Sequence, residues 1–168
     1  MEEMETTPFS FVYDDFFNKI TDDLYMELTE EDTKKLLEPM LMAAIHKFEF
    51  PRFDITNIDN QEKCFNSKLT NEEINILSTY MIVEWLGQQL ASIENVRMKY
   101  SGSDFKFTSQ ANHMQKVLSL KKDYEREGFH LQRLYKRREK NEDGIMQSTM
   151  STLLTDRPQG RKGLDQWF

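Results

Sequence analysis

A chain of 168 residues is long enough for one domain with a real core and extensions beyond it. Hydrophobic residues make up 38% and charged residues 30%, a balance that points to long helices with solvated faces. The net charge of −7 excludes a surface that is basic throughout, but the charge is uneven: residues 1–49 hold thirteen acids against four Lys/Arg, and residues 133–140 hold five Lys/Arg against one acid.

The acidic start, MEEMETTP, lacks the apolar stretch of a signal peptide, and residues 1–8 are expected to be disordered. Phe9, Val12, Phe16 and Ile20 then recur at helical spacing, with Phe11, Tyr13 and Phe17 broadening the stripe. The pattern predicts a short amphipathic helix ending near Thr21, its aromatics covering a core. Thr29 caps a second helix, with Glu30, Glu31 and Asp32 favourably placed on its N-terminal dipole. Leu36, Leu37, Met40, Leu41, Ala44, Ile45 and Phe48 keep the helical period across Pro39, so a kink is expected there, and Pro51 closes the helix. The segment FPRFDITNID reads as a short strand or an extended crossing, and residues 60–69 as a polar linker containing Cys64 and Phe65.

The stretch from Thr70 to Met98 organises the rest. Thr70 and Glu73 have the S/T-x-x-E spacing of a capping box. Behind them, Ile74, Leu77, Met81 and Trp85 mark one face, and Ile76, Tyr80, Val83, Leu86, Leu90 and Ile93 put apolar groups on the others. A helix apolar nearly all round has to be wrapped by other elements. Its apolar run is too short to span a bilayer and is broken by Glu84. After the turn SGSDFKF, Thr108 or Ser109 caps a last long helix over roughly residues 109–140, striped by Met114, Val117, Leu120, Tyr124, Leu131 and Leu134. Residues 141–168 are Gly-containing and polar, with apolar islands at Met150, Leu153 and Leu154 and at Leu164, Trp167 and Phe168. The fold class expected is all-α: a small helical bundle wrapped around a long central helix, with residues 9–140 as the body and 141–168 as an extended C-terminal tail that binds a partner.

Catalytic signals are sparse. His46, His113 and His130 are scattered without metal-ligand spacing, and PQGRKG lacks the pattern of a phosphate loop. Cys64 is the only cysteine, so no disulfide can form within one chain, and a lone cysteine carries little weight as a nucleophile. The pairs Asp14–Asp15 and Asp22–Asp23 diverge by about 100° on a helix and read as solvated faces. No cofactor, metal or catalytic residue is expected.

The basic run, with Arg133, Lys136, Arg137 and Arg138, is the strongest charged feature. It fits contact with nucleic-acid phosphates, a solvated turn complementing the helix dipole, or an electrostatic seam against the acidic half of an identical subunit. The tail ends in Trp-Phe, and a large aromatic pair on a hydrophilic arm needs a pocket, either on a partner or on its own domain.

The body resembles the head–tail connector (adaptor, or head-completion) proteins of tailed bacteriophages. The likeness lies in the order, length and character of three stretches spanning residues 29–138: TEEDTKKLLEPMLMAAIHKF, TNEEINILSTYMIVEWLGQQL and DFKFTSQANHMQKVLSLKKDYEREGFHLQRLYKRR. The resemblance implies a non-enzymatic virion subunit of the neck, made in the host cytoplasm, that forms a homo-oligomeric ring between portal and tail machinery. It also implies attachment to the portal protein through the C-terminal extension, a tail-side neck protein as second partner, DNA only as passage through the ring, and no membrane. On that reading Leu153, Leu154, Leu164, Trp167 and Phe168 anchor the tail, and Arg161 and Lys162 reach acidic groups on the portal. The competing expectation is a helical regulatory or nucleic-acid-binding module using the basic end of the last helix.

Overall fold

The computed structural model describes residues 6–20, 28–99, 107–140 and 146–148. Four helices carry most of the chain: α1 (Ser10–Lys19), α2 (Glu30–Lys47), α3 (Asn71–Lys99) and α4 (Phe107–Lys136). Short strands accompany them: β1 (Thr7–Pro8), β2 (Ile58–Asp59), β3 (Cys64–Phe65), β4 (Arg138–Lys140) and β5 (Met146–Ser148). The molecule is therefore mostly helical, and the all-α expectation needs the addition of two small antiparallel sheets, β1-β3-β2 and β4-β5.

Two caps sit where local chemistry puts them, at Thr29 and Thr70; the third expected cap does not, because α4 begins at Phe107 and Thr108 and Ser109 lie inside it. Thr29 accepts the Asp32 backbone N–H at 3.3 Å. The Thr70 N–H donates to Glu73 Oε2 at 2.6 Å while Thr70 Oγ1 accepts the Glu73 N–H at 3.4 Å, closing the capping box reciprocally. Pro39 lies within a single uninterrupted α2, on its exposed side.

The supposed linker is the main departure. Cys64 and Phe65 form the middle strand of the first sheet, with Thr7 and Ile58 both opposite Phe65, and Pro8 and Asp59 both opposite Cys64. Phe65 is fully buried, 5.0 Å edge-on from the Phe9 ring. Thr7 and Pro8, expected in a disordered start, are thus held by pairing. The Leu69 N–H also donates to Thr7 Oγ1 at 2.8 Å, and the Phe9 N–H to the Lys63 carbonyl at 2.9 Å. Lys63 reaches that position with φ of 52°, the left-handed conformation a tight turn demands. Of FPRFDITNID only Ile58 and Asp59 are strand.

Helix α3 packs against α1, α2 and α4. Ile76, Leu77, Tyr80, Met81, Ile82, Val83 and Leu86 are buried there, with Val12 and Phe16 from α1 and Leu37, Met40, Leu41 and Ala44 from α2. Each such large apolar side chain contributes about 1.5–3 kcal/mol relative to exposure. Trp85 is only half-buried at the edge of this cluster.

The antiparallel α3–α4 pair has a seven-residue register. Glu73 meets Tyr135, Tyr80 lies against Gly128, and Gly87 faces Lys121, so the contacts advance by seven residues along both helices. A seven-residue repeat keeps one seam of each helix facing the other with a slight left-handed wrap. Gly128 is needed at its place: a Cβ there would stand 2.9 Å from the Tyr80 ring.

Candidate interaction surface

Where α4 ends, polar groups lock it to the rest of the fold. The Tyr135 hydroxyl donates to Glu73 Oε1, and both residues are buried. Burial, then the Glu73 carboxylate, raises the Tyr135 phenol well above its ordinary range. Arg52 lies 4.0 Å over the Tyr135 ring and donates to the carbonyls of Tyr135, at 2.6 Å, and Arg138. One turn back, buried Gln132 accepts the Glu49 N–H at 2.8 Å and donates to the Lys47 carbonyl at 3.0 Å and to the Tyr80 hydroxyl. These bonds satisfy the C-terminal end of α2 from α4, more than eighty residues away in the chain.

The four expected basic residues divide at this junction. Arg138 is not on the helix: it lies in β4 and forms an ion pair with Glu72 at 2.9 Å, so its charge is matched within the chain. Arg133 faces the Phe129 ring at 5.8 Å, and the Lys136 ammonium sits 4.3 Å over the Phe50 ring. Arg133, Lys136 and Arg137 remain exposed. The expected helix to residue 140 stops at Lys136, because β4 turns into a hairpin with β5: Arg138 opposite Ser148, Glu139 opposite Gln147, Lys140 opposite Met146. The start of the expected extended tail is thus paired back onto the body. Leu153, Leu154, Arg161, Lys162, Leu164, Trp167 and Phe168 lie outside the described residues.

Beyond the junction, the outer face of α4 carries a mixed stripe. Leu118, Lys122, Arg126, Phe129, Arg133 and Lys136 recur every three or four residues and are all exposed, Leu118 at 40% and Phe129 at 46%. Arg126 pairs with Asp123 on the same helix. The stripe runs about 27 Å along the helix at its usual rise. Sequence reasoning stopped at the four cations near the C-terminal end. The i, i+4, i+7 spacing through Lys122, Arg126 and Phe129 was the available signal.

On the other side of the molecule, α1 is bound to α3 by a polar cluster. Lys19 Nζ reaches Asp15 Oδ2 at 2.7 Å and Asn75 Oδ1 at 2.6 Å, and Ser78 bridges Lys19 and Asp15. Burial pushes the Asp15 carboxyl up, but hydrogen bonds from Lys19 and Ser78 and the Lys19 charge outweigh it and hold the group below its usual range. Phe11, 56% exposed, lies outward with Asp14 and Asn18.

A cleft of ≈ 440 Å³ opens between α1, α2 and the β2–β3 turn, floored by Phe9 and Tyr13 and rimmed by Lys34, Lys35, Glu38 and Lys63. The Lys63–Glu38 ion pair, at 2.6 Å, closes charge on that rim. Cys64 is buried in the middle strand of its sheet, whereas His46, His113 and His130 are exposed. No helix among the described residues is long and apolar enough to cross a membrane.

No family model matches this chain, and no curated protein or solved structure matches it either.

Proposed function

We propose that this chain is a non-enzymatic structural subunit of the head–tail connector kind, its helices bundled about α3. It forms a homo-oligomeric ring in the neck of a virion, joining the portal to the tail machinery and letting DNA pass through. The observation that carries this reading is the pairing of a rigid, internally latched helical body with large apolar side chains left in solvent. Tyr135–Glu73 and Gln132 fasten α4 to α3 and to the end of α2, and Arg138–Glu72 fastens β4 to α3. Yet Phe11, Leu118, Leu120 and Phe129 stay between 40% and 56% exposed. Exposed anchors on a stiff frame suit a building block that is covered by neighbours. Helices α2, α3 and α4 lie on the three stretches that carry the resemblance.

The C-terminal residues supply the portal contact, with Leu153, Leu154, Leu164, Trp167 and Phe168 as anchors and Arg161 and Lys162 as charged partners. Because β5 pairs with β4, the informative truncation begins after Ser148 and removes residues 149–168. Multi-angle light scattering with and without isolated portal rings tests the proposal. The full chain should form a large assembly that binds portal, and the truncated chain should keep its melting temperature but lose portal binding. A truncated chain that docks normally would remove the tail from the mechanism, and a full chain that stays small with portal present would sink the connector reading.

A further inference from the structure

The two outward surfaces described above lie on opposite flanks of α3. With about 100° of rotation per residue, Asn75 and Ser78, which hold α1, stand about 140° and 160° around α3 from Tyr80, which packs on α4. Helix α1 therefore covers one side of α3 and α4 the other; the stripe on α4 stands about 80–160° around that helix from Gly128, on its flank, and Phe11, Asp14 and Asn18 stand about 100–160° around α1 from the buried Val12 and Phe16. One face presents Phe11 with Asp14 and Asn18; the other presents Phe129 and Leu118 among Lys122, Arg126, Arg133 and Lys136.

We infer that these two faces are the two halves of one head-to-tail contact: the occupant of the basic, aromatic face of α4 is the face of α1 that carries Phe11 and the carboxylate of Asp14, on a second copy of this chain. The inference rests on the ring reading above and specifies how neighbouring copies meet. Three observations select this occupant. The charges are complementary, with Asp14 meeting the Lys122–Arg133 region, and each face carries its own exposed aromatic ring to fill the centre. A two-fold contact of the α4 face with itself would instead set cations against cations. Finally, unlike faces on opposite flanks propagate from copy to copy and close into a ring when the rotation permits. Nucleic acid would match the cations, but phosphates have no use for Leu118 and Phe129 held between them.

Charge exchange between separately purified variants tests this. Asp14→Lys spoils the α1 face and leaves the basic one intact; the double variant Lys122→Glu/Arg133→Glu does the reverse. All three positions are exposed, so each variant should fold, which circular dichroism checks. In light scattering at low salt, either variant alone should associate at least about tenfold more weakly than the parent. Mixed in equal amounts they should reassemble to the parental mass, because each junction then joins either two native faces or two exchanged ones. A mixture that stays small overturns the inference, as does a parent whose assembly ignores all three substitutions while the ring itself persists. A parent that never assembles, alone or with portal, removes the ring reading and this contact with it. Tight, salt-steep binding of duplex DNA by the parent, lost in Lys122→Glu/Arg133→Glu, would assign the basic face to phosphate instead.

Discussion

The two glycines on the α3–α4 seam should respond in opposite directions to the same substitution. At Gly87 an added Cβ would meet only Lys121 Cε, at 3.6 Å, an ordinary contact with a flexible side chain. Gly87→Ala then adds helix propensity at no steric cost and should stabilise by about 0.5–1 kcal/mol. At Gly128 the same Cβ would lie 2.9, 3.0 and 3.3 Å from three atoms of the Tyr80 ring. Tyr80 is buried and its hydroxyl accepts from Gln132, which also ties down the end of α2, so the ring cannot swing aside without loosening that junction. Overpacking of this kind costs about 1–3 kcal/mol, which exceeds the propensity gain of about 1 kcal/mol and leaves a net loss near 1 kcal/mol. Urea unfolding followed by circular dichroism should place the two variants about 2 kcal/mol apart, with a shift in midpoint at constant slope. A Gly128→Ala variant as stable as Gly87→Ala would refute the seam register.

Tyr135→Phe keeps the ring packing on Phe48 and Arg52 but strips Glu73 Oε1 of its donor, so it should destabilise by about 1.5–3 kcal/mol; an unchanged urea midpoint would mean the pair contributes nothing. Because the folded state raises this phenol above its ordinary value of 10.0, the contribution is fully present below pH 10 and is lost as pH rises toward the folded value, so the variant should also show a shallower alkaline limb. At the other end, the depressed carboxyl of Asp15 contributes stability above its ordinary pKa of 3.8 and loses it as pH falls through the lower folded value. Asp15→Asn should lower stability at neutral pH and flatten the acid limb of the stability profile, and an acid limb parallel to that of the parent would count against the Lys19–Asp15–Ser78 cluster.

Much of the helical framework was legible in the sequence because it depends on neighbours within a turn or two. The Thr29 cap, the Thr70–Glu73 capping box and the apolar period of α2 and α3 are local, and the structure holds them at those residues. What tertiary structure decided lies in partners far apart along the chain. Cys64 and Phe65 look like linker residues until Thr7–Pro8 and Ile58–Asp59 supply hydrogen bonds on either side, for two residues have no strand stability of their own. Glu73 is visible as a capping residue, but its second oxygen accepts from Tyr135, 62 residues on, and no periodicity encodes that distance. Arg138 reads as one more cation in a basic run; Glu72, 66 residues back, takes it out of that run. The placement of α1 and α4 on opposite sides of α3 is of the same kind, because a helix apolar nearly all round accepts partners on any face and only packing chooses which partner takes which.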